Sequence, residues 1–339
     1  MLSDDALERI LRGIPGLAVV VLGDLFLDRY LDIDASLTEP SVETGLDAYQ
    51  VTRVRSYPGA AGTVVNNLAA LGVGRIHVIS VIGDDGEGFE LRQALAHMPA
   101  VSPNHLRASA GRRTPTYTKP MLAESGRFPR ELNRLDIKNR SRLPAEAEVE
   151  VLQGLDEFFP NVHAIHVVDQ VSEPNCGVVT EIVRKRLAEL GARFKATTVL
   201  ADSRERIGMF LNVALKPNEA ECLRAAGSAA YSAVAAIELA RRCGRTVFCT
   251  CGACGIRVAD PAGNSPIVVP AYPVSGPVDP VGAGDSTSAG ILCALACGAT
   301  PLEAAAFGNL VASITVQQIG TTGTASVAQI RQRWQEVRG

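Results

Sequence analysis

The chain has 339 residues and a net charge of −3, with a pI near 6.0, so it offers no basic field for nucleic acid or an acidic lipid surface. Its 47% apolar and 20% charged composition is that of a globular protein with a sizeable core. No apolar run is long enough to cross a bilayer. Eight cysteines behind an acidic, amphipathic N-terminus predict reduced thiols in a cytoplasmic protein rather than a disulfide framework.

Residues 4–13 read as an amphipathic helix closed by Gly13 and Pro15. The run at 17–22 (LAVVVL) has the continuous apolar character of a strand buried on both faces of a parallel sheet. It ends in Gly23-Asp24-Leu25-Phe26-Leu27-Asp28. Acids past the carboxyl end of such a strand lie where open α/β sheets bind ligands. Asp24 and Asp28, four apart, suit sugar hydroxyls, with a turn cap as the alternative for Asp24. Residues 30–56 alternate weakly, with charges throughout, and predict exposed antiparallel strands of a lid. A glycine-rich stretch at 58–63 opens a helix that stops at Gly72; 75–82 is a second buried strand, followed by a helix to about His97. The polar segment 100–142 predicts strands at 114–122 and 131–135. The lid is therefore placed at about 30–56 and 106–122. Lys119, Arg127, Arg130 and Arg134 in this segment either meet a substrate phosphate or form a solvated face.

From 144 the pattern is regular: helix 144–158, strand 164–168, helix 175–190, and strand 194–200 running into Ala201-Asp202-Ser203-Arg204. Strand 211–215 leads into Lys216-Pro217-Asn218-Glu219-Ala220-Glu221 and a helix. A helix at 233–242 precedes strand 246–250, which runs into Cys251-Gly252-Ala253-Cys254-Gly255, and two short strands follow at 255–259 and 266–271. This alternation predicts an α/β fold with a doubly wound, mostly parallel sheet flanked by helices, one domain over 1–339 with a small β lid. Cys249, Cys251 and Cys254 lack further metal ligands nearby and read as apolar packing residues. His163 and His166 alternate to opposite faces of their strand, against a shared metal.

Residues 279–298 read DPVGAGDSTSAGILCALACG. Gly282 and Gly284 lead directly into Asp285 and a helix of small residues. A helix start leaves several N–H groups unpartnered at the positive end of the dipole. Gly282-Ala283-Gly284 would therefore cradle an anion. A carboxylate beside an anion hole is reasonable if it takes a proton from a hydroxyl while the hole holds a transferring phosphoryl group. A simple helix N-cap is the alternative. Asn218 with Glu221, three apart on a helix face, suits a Mg²⁺-bound phosphate, and Thr250 before a glycine turn suits a terminal phosphate oxygen. This is equipment for phosphoryl transfer. Neither a P-loop nor a dinucleotide fingerprint occurs. Thr300-Pro301-Leu302-Glu303 starts a further helix, and a closing helix contains Trp334.

DPVGAGDSTSAGIL resembles the C-terminal signature of the ribokinase-like (PfkB) carbohydrate kinases, and GAAGT at 59–63 resembles their N-terminal glycine signature. GDLFLDRY, LKPNEAE, VFCTCGACG and AFGNLVASITVQQIGTTGTAS follow in the family's order over nearly the whole chain. Within the family, GDLFLDRY, Asn-Arg-Leu-Asp at 133–136 and the ending are most similar to the heptose-7-phosphate kinases of lipopolysaccharide-core synthesis. Those occur alone or fused to an adenylyltransferase; no His-x-Gly-His of such a transferase is present, so the kinase alone is expected.

The resemblance implies roles. Asp285 is the general base, and the amides of Gly282, Ala283 and Gly284 stabilise the transferring group. Asp28 binds sugar hydroxyls, joined on the acceptor side by Asp24, Gly59 and Thr63, with Lys119 and Arg134 as candidates for a substrate phosphate. Lys216, Asn218, Thr250, Gly252 and Gly255 line the nucleotide phosphates, and Asn309 lies near adenine. Glu221 serves Mg²⁺ through water, and Asp279 with the 320–324 loop resembles a site for a monovalent cation such as K⁺. ATP and Mg²⁺ are implied, as is a homodimer through the lid. Ala60 and Thr63 stand where the family carries Gly and Asn, and Phe26 where it carries a sugar-binding Asn; the Ala60 methyl would crowd a sugar held there. Heptose 7-phosphate at its anomeric hydroxyl is the leading acceptor. A neutral-sugar kinase of ribokinase or fructokinase type, and a non-catalytic sugar-binding paralogue, are the alternatives.

Overall fold

In the computed structural model, which describes residues 2–227, 231–320 and 322–338, the β-branched runs assemble into a nine-stranded sheet. Its order is Ile267–Val269, Ile256–Ala259, Val247–Thr250, Ala214–Leu215, Thr198–Ser203, Ala164–Asp169, Ala18–Gly23, Arg75–Gly83 and Val101–Ser109. The seven strands from Val247–Thr250 to Val101–Ser109 pair in parallel. The last two pairings are antiparallel.

The strand Ala18–Gly23 shows why the sheet is covered twice. Val19 and Val21 pack into one core with Leu68 and Phe307, while Val20 and Leu22 pack into the other with Phe159 and Leu187. A strand apolar at every position has no face to give to water, so helices sit on both sides. Pro301–Thr315 crosses close over Ala283–Ala296 because both present glycine at the contact: a Cβ on Gly290 would lie 3.0 Å from Gly308 Cα. That close approach is what the small-residue composition of 283–296 encodes.

A second sheet carries Leu135–Ile137, Thr116–Ala123, Leu25–Asp34 and Val51–Ala60, with Arg130–Glu131 alongside Thr116–Ala123. This is the lid, and its bounds differ from expectation. Val101–Ser109 is the parallel edge of the main sheet, so 106–109 leave the lid. At its other end the lid begins at Leu25, a single residue after the sheet strand ends at Gly23. Only Asp24 separates the two strands, so Asp28 stands on a lid strand rather than at the end of the first strand. The helix expected at 175–190 is Glu181–Arg193, fixed by the Thr180 hydroxyl accepting from Val183 N–H; the next strand slides to Thr198–Ser203.

Candidate active site

The parallel strands end their carboxyl edges at Gly23, Ser203, Leu215 and Thr250, and the loops beyond them hold the candidate residues. Asp285 lies in the first turn of Ala283–Ala296. Gly282 precedes it at φ +78°, a left-handed conformation that favours glycine. The Ala283 N–H donates to Pro280 O. Of the three cradle amides expected at 282–284, Ala283's is therefore committed. The N–H groups of Gly284 and Asp285 have no partner among the described residues.

Burial and the nearby Asp202 raise the Asp285 carboxyl to about 7, against the pull of Lys216 and Arg204; Asp28 across the cleft adds to the rise. Lys216, just past Ala214–Leu215, is buried, and its Nζ bonds Asp202 Oδ2 at 2.9 Å. A Cβ built on Gly284 would sit 3.7 Å from that Nζ. The ammonium thus lies beside the helix start that carries Asp285. Burial pulls its pKa down, yet the carboxylates of Asp202, Glu221 and Asp285 together outweigh this and hold it above the usual lysine value. Asp202 carries no role in the sequence reading; the only signal for it was its place at a strand end.

Asn218 and Glu221 form a capping box on Glu219–Ala226. Asn218 Oδ1 accepts from Glu221 N–H at 2.9 Å, and Glu221 Oε2 accepts from Asn218 N–H at 2.8 Å. This leaves Glu221 Oε1 and the Asn218 amide nitrogen without partners among the described residues, with the carboxyl raised by burial. Thr250 N–H bonds Pro217 O at 2.9 Å and so ties this loop to the next strand. Gly252 (φ +55°) has open space where a side chain would point. Gly255 is different: a Cβ there would lie 2.1 Å from Val269 O, so its need is close packing of strands. Asn309 donates both amide hydrogens to backbone, at 3.0 Å each to Val269 O and Pro270 O. Asp279 Oδ1 accepts from Val281 N–H at 3.0 Å and Oδ2 from Gly320 N–H at 2.9 Å. It thereby joins the two loops expected at a cation site, of which residue 321 lies outside the described residues.

On the acceptor side, Asp28 pairs in register with Tyr57 on the lid. A Cβ on Gly59 would lie 2.8 Å from Asp28 Oδ2, so the absence of a side chain at 59 lets the carboxylate stand where it does. Burial raises the Asp28 pKa, and Lys119, 3.7 Å away, opposes the rise. Ala60 follows at φ +53°, a region that costs a residue with a Cβ. Thr63 is buried on the helix Ala61–Ala70.

Asp24 does not join Asp28. Its carboxylate is buried and turned into the 170–178 loop, accepting from Val178 N–H at 2.7 Å and Gln170 N–H at 3.4 Å. Burial lifts its pKa to about 6. Both of its carboxylate oxygens thus accept from backbone at the lid junction. Lys119 donates to Tyr30 OH at 3.1 Å. Arg134 is held by both oxygens of Asp136, at 2.6 and 3.0 Å, and lies 4.2 Å over the Tyr117 ring.

Solved structures share this architecture. Ribokinase of Arabidopsis thaliana, complexed with ribose and ATP, superposes at a TM-score of 0.68 with 18% identity, covering 94% of this chain and 98% of its own. Phosphofructokinase-2 of Escherichia coli, in complex with fructose-6-phosphate, gives 0.69 with 18% identity, covering 95% and 100%. The fold is thus ribokinase-like. The sequence profile of the pfkB family carbohydrate kinases matches residues 18–328, and the chain belongs to that family, whose members are phosphotransferases acting on sugar hydroxyls. It is 32% identical over 326 residues to the bifunctional protein HldE of a Caulobacter species and 28% identical over 319 to that of Citrifermentans bemidjiense. Those matches cover 94% and 90% of this chain but only 63% and 61% of the relatives' own length. Among the described residues, no helix is long and apolar enough to cross a membrane.

Proposed function

We propose that residues 1–339 act as one ATP-dependent carbohydrate kinase domain, transferring the γ-phosphoryl group to a hydroxyl of a phosphorylated sugar, with heptose 7-phosphate at its anomeric position as the leading acceptor. One observation carries this: the Asp285 carboxyl, raised to about 7, stands at a helix start whose Gly284 and Asp285 amides have no partner among the described residues, beside the buried Lys216 ammonium. A base with its pKa near neutrality accepts a hydroxyl proton at physiological pH while remaining strong enough to hold it. Those amides and Lys216 then face the charge that builds on the phosphoryl oxygens. Asp28, held close to Gly59, orients the acceptor, and positioning of this kind supplies much of the barrier reduction. Gly252 gives the nucleotide phosphates close access to the backbone.

Glu221 Oε1, without a partner among the described residues, suits the hard-oxygen surroundings of Mg²⁺ held directly or through water, and the Asn218 amide NH₂ suits a phosphate oxygen beside it. Bound there, Mg²⁺ would neutralise charge on the phosphate oxygens. Asp279 remains the candidate for a monovalent cation. Exposed Leu37, Val42, Leu46 and Val54 on or beside the lid support a homodimer in which a second copy covers them. The protein is proposed to act in the cytoplasm.

The test is ADP release with ATP, Mg²⁺ and a panel of acceptors: heptose 7-phosphate, fructose 6-phosphate, ribose, fructose and free heptose. Product formation fastest on a sugar phosphate is expected. Fastest turnover of ribose or fructose would move the assignment to a neutral-sugar kinase, and no turnover of any acceptor would defeat the kinase reading.

A further inference from the structure

Besides Lys216, four cations of the lid and of the loop after Thr198–Ser203 differ in their partners. Lys119 is engaged by Asp28 and Tyr30. Arg134 is neutralised by both oxygens of Asp136. Lys138 reaches the same acid only at 3.7 Å. Arg204, like Arg53, Arg130 and Arg140, has no hydrogen-bond or ion-pair partner for its guanidinium among the described residues; what sets it apart is its position. It stands one residue past Thr198–Ser203, at the carboxyl edge of the sheet, and its charge reaches Asp285.

Arg204 and Lys138 both line one shallow surface depression, together with Phe26 and Tyr117 of the lid and Val171. Glu173 also lines it, so the two cations exceed the acids of the lining by one charge. The aromatic walls suit the carbon face of a sugar, while the cations suit an anionic substituent. A guanidinium fork matches a phosphate through two parallel hydrogen bonds, which an ammonium cannot do.

We infer that Arg204, assisted by Lys138, is the site that reads the phosphate monoester of the acceptor, in place of Lys119 and Arg134. This rests on the kinase reading, in which the acceptor hydroxyl lies between Asp28 and Asp285. The substrate then spans the cleft: its reacting hydroxyl faces Asp285, and its phosphate lies in the depression under Tyr117. Sugars without the phosphate leave Arg204 unmatched.

The experiment compares wild type with Arg204→Gln, Arg204→Lys and Lys138→Gln, using fructose 6-phosphate, sedoheptulose 7-phosphate and heptose 7-phosphate beside their unphosphorylated sugars and one sugar acid. Arg204→Gln is expected to raise KM for the best sugar phosphate by about tenfold to a hundredfold, the loss of a hydrogen-bonded charge. The KM for ATP and for neutral sugars should stay within about threefold, and Arg204→Lys should recover part of the loss. An equal rise on neutral and phosphorylated sugars, or a rise confined to ATP, overturns the assignment. Preference for the sugar acid, lost equally in Arg204→Gln, overturns the phosphate class. Calorimetric titration separates this inference from the kinase reading: sugar-phosphate binding that Arg204→Gln weakens supports the subsite whatever the turnover, and binding it leaves intact refutes the subsite even in an active kinase. Unchanged melting temperatures establish that the variants fold.

Discussion

Replacing Asp285 with Asn should make the protein more stable and nearly inactive, and the size of the gain follows from its surroundings. The carboxyl rises from 3.8 to about 7 on folding. Between those values the folded chain binds more protons than the unfolded one, so stability falls as pH rises from about 4 to 7 and the full cost is present above 7. At 1.36 kcal/mol per unit, the rise corresponds to about 4 kcal/mol. Lys216 loses an acidic neighbour in the variant, which offsets part of this, leaving about 2–4 kcal/mol. Denaturant unfolding at pH 8 should therefore show Asp285→Asn above wild type by that amount, with the difference shrinking towards zero near pH 4. Turnover should drop by about 10²–10⁴, while wild-type kcat/KM climbs with pH to a plateau above 7. A variant no more stable than wild type at pH 8, or a flat wild-type profile from pH 6 to 8, refutes the reasoning.

Lys216→Met strands the Asp202 carboxylate in a buried site and should cost about 3–5 kcal/mol, measured by unfolding at pH 7; the double variant with Asp202→Asn should recover much of that stability without recovering turnover. Ala60→Gly relieves a backbone at φ +53° and should gain about 1 kcal/mol, read as a rise of a degree or two in Tm. Gly59→Ala puts a Cβ 2.8 Å from Asp28 Oδ2, so the acceptor KM should rise at least tenfold with the ATP KM unchanged; an unaltered acceptor KM would remove Asp28 from the acceptor site.

The parallel core was legible in the sequence because strands such as Ala18–Gly23 are apolar at every position. The 279–298 element was legible because its glycines and acid lie within a few residues of one another. What escaped notice depended on register or on a missing signal. Asp202 and Lys216 lie fourteen positions apart and meet because Leu200 and Ala214 are aligned across parallel strands. Only Asp24 separates the sheet strand from the lid strand, so Asp28 reads as a loop residue past the strand's carboxyl end although it stands on a lid strand. Asp24 and Asn309 offered side chains that suit a ligand, yet their hydrogen bonds go to backbone groups far along the chain. Nor could spacing reveal that Pro280 occupies the Ala283 amide.

The single residue between the sheet strand and the lid strand puts Asp28 on the same backbone run as the sheet. Asp24 ties that run down on one side, through Val178 and Gln170 N–H. Arg29, next to Asp28, ties it down on the other, through Glu87 and Glu90 of the helix Gly86–Ala96. The acceptor acid is thus braced from both ends, and moving it relative to Asp285 means breaking one brace or the other.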